Sequence, residues 1–276
     1  MTPIAGAQRR LTVRGLDLAL HAWGDAGRAP LLLLHSLAAH SHWWDWAAPL
    51  LAARFSVVAL DQRGHGASAR AEPPDYTFDD YAADALAVLD SLGWSAATVI
   101  GYSMGGYVGA LLAARHPDRV SALVMADVLT AWPPAMQGFV LKQAQRPSPT
   151  YSSAREARER FRLSPPETTA PRTRVSYLGE RSVIERRPSV WEHAFDRRVF
   201  LHPPVDPWPF LASVRCPTLV VRGEGSRIMD ADACRRVAAR VRAGVALELP
   251  GTHHHLVVED PTAFARAVLE WRPTVC

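Results

Sequence analysis

Apolar positions fall along this chain in two periods, and the alternation between them predicts most of its elements. Leu11 to Trp23 alternates in the manner of strands and turns at Arg14-Gly15, which predicts an antiparallel hairpin. Pro30 to Leu34 and Ser56 to Leu60 are unbroken apolar runs, the pattern of strands buried on both faces of a parallel sheet. A helical stretch from about Trp44 to Arg54 lies between them. The unit then recurs. Tyr81 to Leu92 is an amphipathic helix, followed by strand Ala97 to Ile100, a helix from Met104 to His116 and strand Ala122 to Ala126.

After Asp127 the rhythm stops for a segment rich in proline and arginine that shows only helical patterns. Strands resume at Pro217 to Val221, followed by helix Asp230 to Val241, strand Val245 to Leu249, a histidine-bearing loop and helix Pro261 to Trp271. The whole predicts an α/β fold with a mostly parallel eight-stranded sheet and helices on both faces. Residues 1–127 and 211–276 form its core domain, and 128–210 a helical cap inserted after the sixth strand.

Composition narrows the possibilities. A chain of 276 residues with 48% hydrophobic content can bury a full core. Its net charge of +4, carried almost wholly by arginine, is too mild for a nucleic-acid binder. No apolar stretch is long enough to span a bilayer, so no membrane partner is expected. Cys216, Cys234 and Cys276 are odd in number and scattered, which predicts free thiols in a reducing cytosol and a cytoplasmic, unexported protein.

The chemistry begins at Gly101-Tyr102-Ser103-Met104-Gly105, which joins a β-branched run to a helical one. A strand that reverses into a helix within two residues has no room for side chains around the turn, and glycines at 101 and 105 provide it. Ser103 would then project its hydroxyl above the sheet while the next helix aims its first amides at an anion. A bare match of this pattern is weak, and the strand before and helix after are what make Ser103 a candidate nucleophile.

Four ordered motifs together resemble the α/β-hydrolase fold family, in particular its small cap-bearing serine hydrolases. Leu32-Leu33-Leu34-His35-Ser36-Leu37 resembles the His-Gly loop after the third strand, and Asp61-Gln62-Arg63-Gly64-His65-Gly66-Ala67-Ser68 the family's Asp-x-Arg-Gly-x-Gly-x-Ser turn. Gly101 to Gly105 matches the nucleophile elbow, and Pro250-Gly251-Thr252-His253-His254-His255 the Gly-His loop. The resemblance covers essentially the whole chain.

It implies that Ser103 is activated by an imidazole, and counting back seven residues from Pro261 selects His254. His253 and His255 are then polar loop residues. A metal held by the histidine triplet is the alternative, disfavoured because adjacent side chains diverge and no cysteine or acidic cluster lies beside them. The implied oxyanion donors are the backbone amides of Met104 and Leu37, with Ser36 in place of the family's glycine. His35 reads as a loop brace.

The acid departs from the pattern. Ser226 occupies the place, in Arg222-Gly223-Glu224-Gly225-Ser226, where the family most often has aspartate. Asp127, at the end of the sixth strand, is the first replacement, since some relatives carry their acid there; Glu224 comes next and Asp230, which reads as a helix cap, last. Asp61, Arg63 and Ser68 read as loop braces. Ser36, Trp43 and Tyr102 stand near enough to the site to be candidate substrate contacts, with packing the equal alternative for Trp43 and Tyr102, while Trp44 and Trp46 read as core.

These residues point to a cofactor-independent serine hydrolase of a small ester, lactone or thioester, working through Ser103, His254 and Asp127. Hydrolysis of a carbon–carbon bond in a diketone-like substrate is the alternative within enzymes. A non-hydrolytic descendant, acting as a binding protein or cyclase, is the alternative from another class. The partner is a small molecule; the arginines Arg155, Arg158, Arg160, Arg162, Arg186 and Arg187 read mainly as a solvated face and secondarily as a site for an acyl carrier.

Overall fold

The computed structural model describes residues 1–131, 134–201 and 206–271, which leaves Cys276 outside the described residues. The chain opens with the hairpin of β1 (Ala7–Val13) and β2 (Leu16–Trp23), then β3 (Ala29–Leu34), the short helix α1 (Ala48–Leu51) and β4 (Phe55–Leu60). Helix α2 (Phe78–Ser91), β5 (Ala97–Tyr102), α3 (Met104–Arg115) and β6 (Val120–Ala126) follow. Between β6 and the next core strand lie α4 (Pro134–Ala144), α5 (Ala154–Glu159), α6 (Arg172–Arg181), a hairpin of β7 (Val183–Arg187) and β8 (Val190–His193), and α7 (Trp208–Leu211). Strand β9 (Thr218–Gly223), α8 (Ala231–Arg240), β10 (Gly244–Leu249), α9 (Leu256–Glu259) and α10 (Pro261–Glu270) complete the described chain.

The eight core strands stand in the order β1-β2-β4-β3-β5-β6-β9-β10. From β4 to β10 every pairing is parallel, and only the leading hairpin runs against its neighbours. Burial on both faces explains the unbroken apolar runs: Leu31, Leu32, Leu33 and Leu34 are all fully buried. Alternate residues feed two cores. Leu32 and Leu34 join Val108, Leu112 and Val237 on one face, while Leu31 and Leu33 join Trp44, Leu51 and Phe264 on the other.

The starts of α2, α8 and α10 carry side-chain caps. Thr77 Oγ1 accepts the Asp80 amide of α2, Asp230 Oδ1 the Ala233 amide of α8, and Asp260 Oδ1 the Ala263 amide of α10. The helix anticipated over Trp44 to Arg54 is instead a turn of 3₁₀ helix at Ser41–Trp44 followed by α1, with Pro49 in the first turn of α1. The segment read as helical also differs in one respect. Beside its helices it holds the β7–β8 hairpin, whose strands are short enough to hide in an arginine-rich stretch and whose turn puts Ser189 at φ 60°. Helix α7 packs on α3 and α8 rather than standing apart, and Leu211 belongs to the main core.

Candidate active site

Three neighbouring strand ends converge on one place. At the tip of β5, Ser103 has φ 51° and ψ −115°, a strained conformation for a residue with a Cβ. Its amide donates to the Ala126 carbonyl on β6 at 2.8 Å, and the next residue of that strand, Asp127, donates its own amide to Val221 of β9 at 2.7 Å. Close approach of backbones holds the turn. A Cβ on Gly101 would run into the Gly105 carbonyl, and one on Gly105 into the carbonyl of Leu34. The second contact seats the first turn of α3 against the loop that follows β3.

Asp127 is fully buried and also lies at positive φ, 50°. Its Oδ1 stands 2.9 Å from His254 Nδ1, and its Oδ2 accepts the Gly223 amide at 2.8 Å. Ser226, the residue in the unexpected position, donates its hydroxyl to the same Oδ1 at 2.6 Å. The other two carboxylates are occupied elsewhere. Glu224 Oε2 accepts the Gly251 amide at 2.8 Å, and Asp230 caps α8. Because the carboxylate receives a proton from Nδ1, the bare ring nitrogen of a neutral His254 is Nε2.

The histidine loop is built around this pair. The Gly225 amide donates to the Thr252 carbonyl at 2.8 Å, and Thr252 Oγ1 to the Leu249 carbonyl at 2.9 Å. Glu259, its carboxylate wholly buried, accepts the His253 amide at 2.5 Å and the Thr169 amide at 3.2 Å, tying the loop to the segment before α6. His255 Nε2 lies 2.7 Å from the Pro165 carbonyl, so that nitrogen carries the proton and Nδ1 accepts from the Tyr102 hydroxyl at 2.8 Å. Burial lowers His255 to about 4 and pushes the Tyr102 phenol well up. The side chains of His254 and His255 thus diverge to different partners, while His253 is held through its backbone amide and its Nδ1 has no hydrogen-bond partner among the described residues.

This arrangement corrects the reading of Tyr102 as a substrate contact. It has no exposed surface and its hydroxyl is committed to His255, so it packs behind the site, its ring 5.1 Å from that of His254. Trp43 is 5% exposed and stacks within 5.4 Å of His255 and 5.8 Å of Tyr102, its indole N–H unpartnered among the described residues. Trp44 and Trp46 are core.

The loop after β3 is set by His35. The Gln62 amide donates to His35 Nε2 at 3.0 Å, which leaves Nδ1 as the protonated nitrogen, and it donates to the Ser36 carbonyl at 2.7 Å. Ala39 donates to the same carbonyl at 3.1 Å. A trans peptide points its N–H opposite its C=O, so the pinned Ser36 carbonyl fixes the direction of the Leu37 amide. Full burial lowers His35 to about 4 and keeps it neutral. The Met104 amide is the first of α3, one of those a helix leaves without an internal partner.

Asp61, Arg63 and Ser68 are braces. Asp61 accepts the amides of Ser41 and Ala67, Ser68 donates to the Asp61 carbonyl, and Arg63 grips Asp84 at 2.6 and 2.7 Å. Sequence reasoning missed Ser226 as a donor to the acid and Glu259 as the brace of the histidine loop. Ser226 meets Asp127 99 residues away, and Glu259, though only six residues from His253, is marked by no motif and also holds Thr169 90 residues away.

A family model described as alpha/beta hydrolase fold matches residues 29–261, and the chain belongs to that family. A putative carbamate hydrolase RutD of Caulobacter segnis is 41% identical over 117 residues, 42% of this chain and 44% of that protein, so the match spans less than half of its length. A protein of the same name from Caulobacter sp. (strain K31) is 27% identical over 260 residues, 94% of this chain and 96% of its own. Among solved structures, the thioesterase domain from the curacin biosynthetic pathway superposes with a TM-score of 0.80 at 22% identity, over 95% of this chain and 98% of that one, a likeness of fold. Among the described residues, no helix is long and apolar enough to cross a membrane.

Proposed function

We propose that this α/β hydrolase is a cofactor-independent serine hydrolase of small acyl compounds, with Ser103 as nucleophile, His254 as base and Asp127 as the acid that orients it. The reading rests above all on the 2.9 Å pairing of Asp127 with His254 Nδ1 beside a strained serine on the adjacent strand tip. His254 Nε2 takes the Ser103 proton as Oγ attacks the substrate carbonyl, and Asp127 stabilises the imidazolium without accepting the proton. The amides of Met104 and Leu37 receive the oxyanion. The imidazolium then protonates the leaving group, and water, deprotonated by the same ring, releases the acid from Ser103.

Esters, lactones and thioesters are the substrate classes that this chemistry serves most directly. The carbamate hydrolase name of the RutD relatives adds small carbamates to that set. Residues 128–210 act in this reading as a cap that shapes the substrate site and excludes water. Cys216 and Cys234, both buried and raised to about 11 by burial, are structural thiols suited to a reducing cytosol. A panel of p-nitrophenyl esters and carbamates of graded chain length, followed by product analysis, tests the reading. Turnover that disappears in Ser103→Ala supports it. Turnover that survives the substitution, or products of carbon–carbon cleavage alone, would reject it.

A further inference from the structure

We infer that Ser226 is a positioning residue for the catalytic acid. The inference rests on the triad proposed above and assigns a role to a residue outside it. Ser226 is 9% exposed, in the loop that follows β9. Its Oγ accepts the Ile228 amide at 3.1 Å and lies 3.4 Å from the Met229 amide, so its lone pairs face the backbone and its proton is directed to Asp127 Oδ1 at 2.6 Å.

That same oxygen serves His254 Nδ1 at 2.9 Å. A carboxylate at the end of a freely turning Cα–Cβ bond would swing; this one is fixed at Oδ2 by the Gly223 amide at the end of β9 and at Oδ1 by a hydroxyl from the loop after it. Two neighbouring strand ends therefore build one anion site. Asp127 supplies the charge from the end of β6, and the end of β9 with its following loop supplies the donors that aim it. A hydrogen bond to a buried carboxylate is worth enough to matter, a factor of roughly ten to a hundred when lost.

The rate at which a fluorophosphonate labels Ser103 reads the activated serine without any knowledge of the substrate. Asp127→Asn is expected to slow labelling by up to about 10⁴-fold. Ser226→Ala is expected to slow it roughly ten- to a hundredfold, with Ser226→Thr restoring most of the loss because it keeps the hydroxyl. Circular dichroism and Tm establish that each variant is folded. Equal labelling by Ser226→Ala and the parent, or a folded Ser226→Thr as slow as Ser226→Ala, would overturn the inference alone. Undiminished labelling by Asp127→Asn would overturn the triad beneath it, so the two failures are distinct.

Discussion

At the scale of single residues, the choice among three carboxylates decides the chemistry. Asp127 faces His254, Glu224 holds the Gly251 amide and Asp230 caps a helix. Asp127→Asn should therefore lower turnover on the order of 10⁴-fold, as loss of a triad carboxylate does, while Glu224→Gln, which retains an oxygen for Gly251, should change it by less than about tenfold. Steady-state kinetics on whichever ester the panel selects checks both, and the reverse ranking would move the acid to Glu224. The sequence pointed to Ser103, His254 and Asp127 because each sits at a strand tip or at a fixed spacing from a proline, and the fold brings Asp127 and His254 to 2.9 Å. It did not reveal that Tyr102 would be buried, since a residue beside the nucleophile faces either cleft or core according to strand register. Ser226 was hidden because its partner lies far along the chain, and Glu259 because an acid six residues after a histidine matches no motif until the loop folds back on it.

At the scale of elements, the elbow works because two backbones pass where no side chain fits. Gly101→Ala places a methyl against the Gly105 carbonyl and is expected to cost more than about 2 kcal/mol, in the range of overpacked cores. Chemical denaturation measures it, and a loss below about 0.5 kcal/mol would mean that the turn relaxes freely. The loop after β4 depends on a different device, the paired grip of Arg63 on the buried Asp84. Arg63→Met leaves that carboxylate with only the half-exposed Arg14 and should cost about 3 to 5 kcal/mol. An unchanged urea midpoint would contradict it. The parallel strands were readable from their unbroken apolar runs, whereas the β7–β8 hairpin was not, because four or five residues carry too little periodicity to outweigh an arginine-rich context.

At the scale of the whole molecule, burial of histidine sets the response to acid. His35 and His255 are lowered to about 4, and His40 and His65 to about 3, with desolvation the largest cause in each. Each is neutral in the fold and takes up its proton more readily in the unfolded chain, where histidine has a pKa of about 6.5. The unfolded state therefore binds more protons below that value, and stability falls as pH drops from about 6.5 toward 4, by up to about 1.4 kcal/mol per pH unit for each histidine. Urea midpoints between pH 7.5 and 4.5 should fall steeply, and a flat profile would show that these rings titrate alike in both states.

The central claim is that one serine, aimed by a strained turn, is activated by the imidazole that Asp127 holds. Peptide mapping by mass spectrometry after fluorophosphonate treatment tests it most directly. The account predicts a single adduct on Ser103, abolished by Ser103→Ala and sharply slowed by His254→Gln. An adduct on another residue, or labelling of Ser103 that is indifferent to His254, would contradict it.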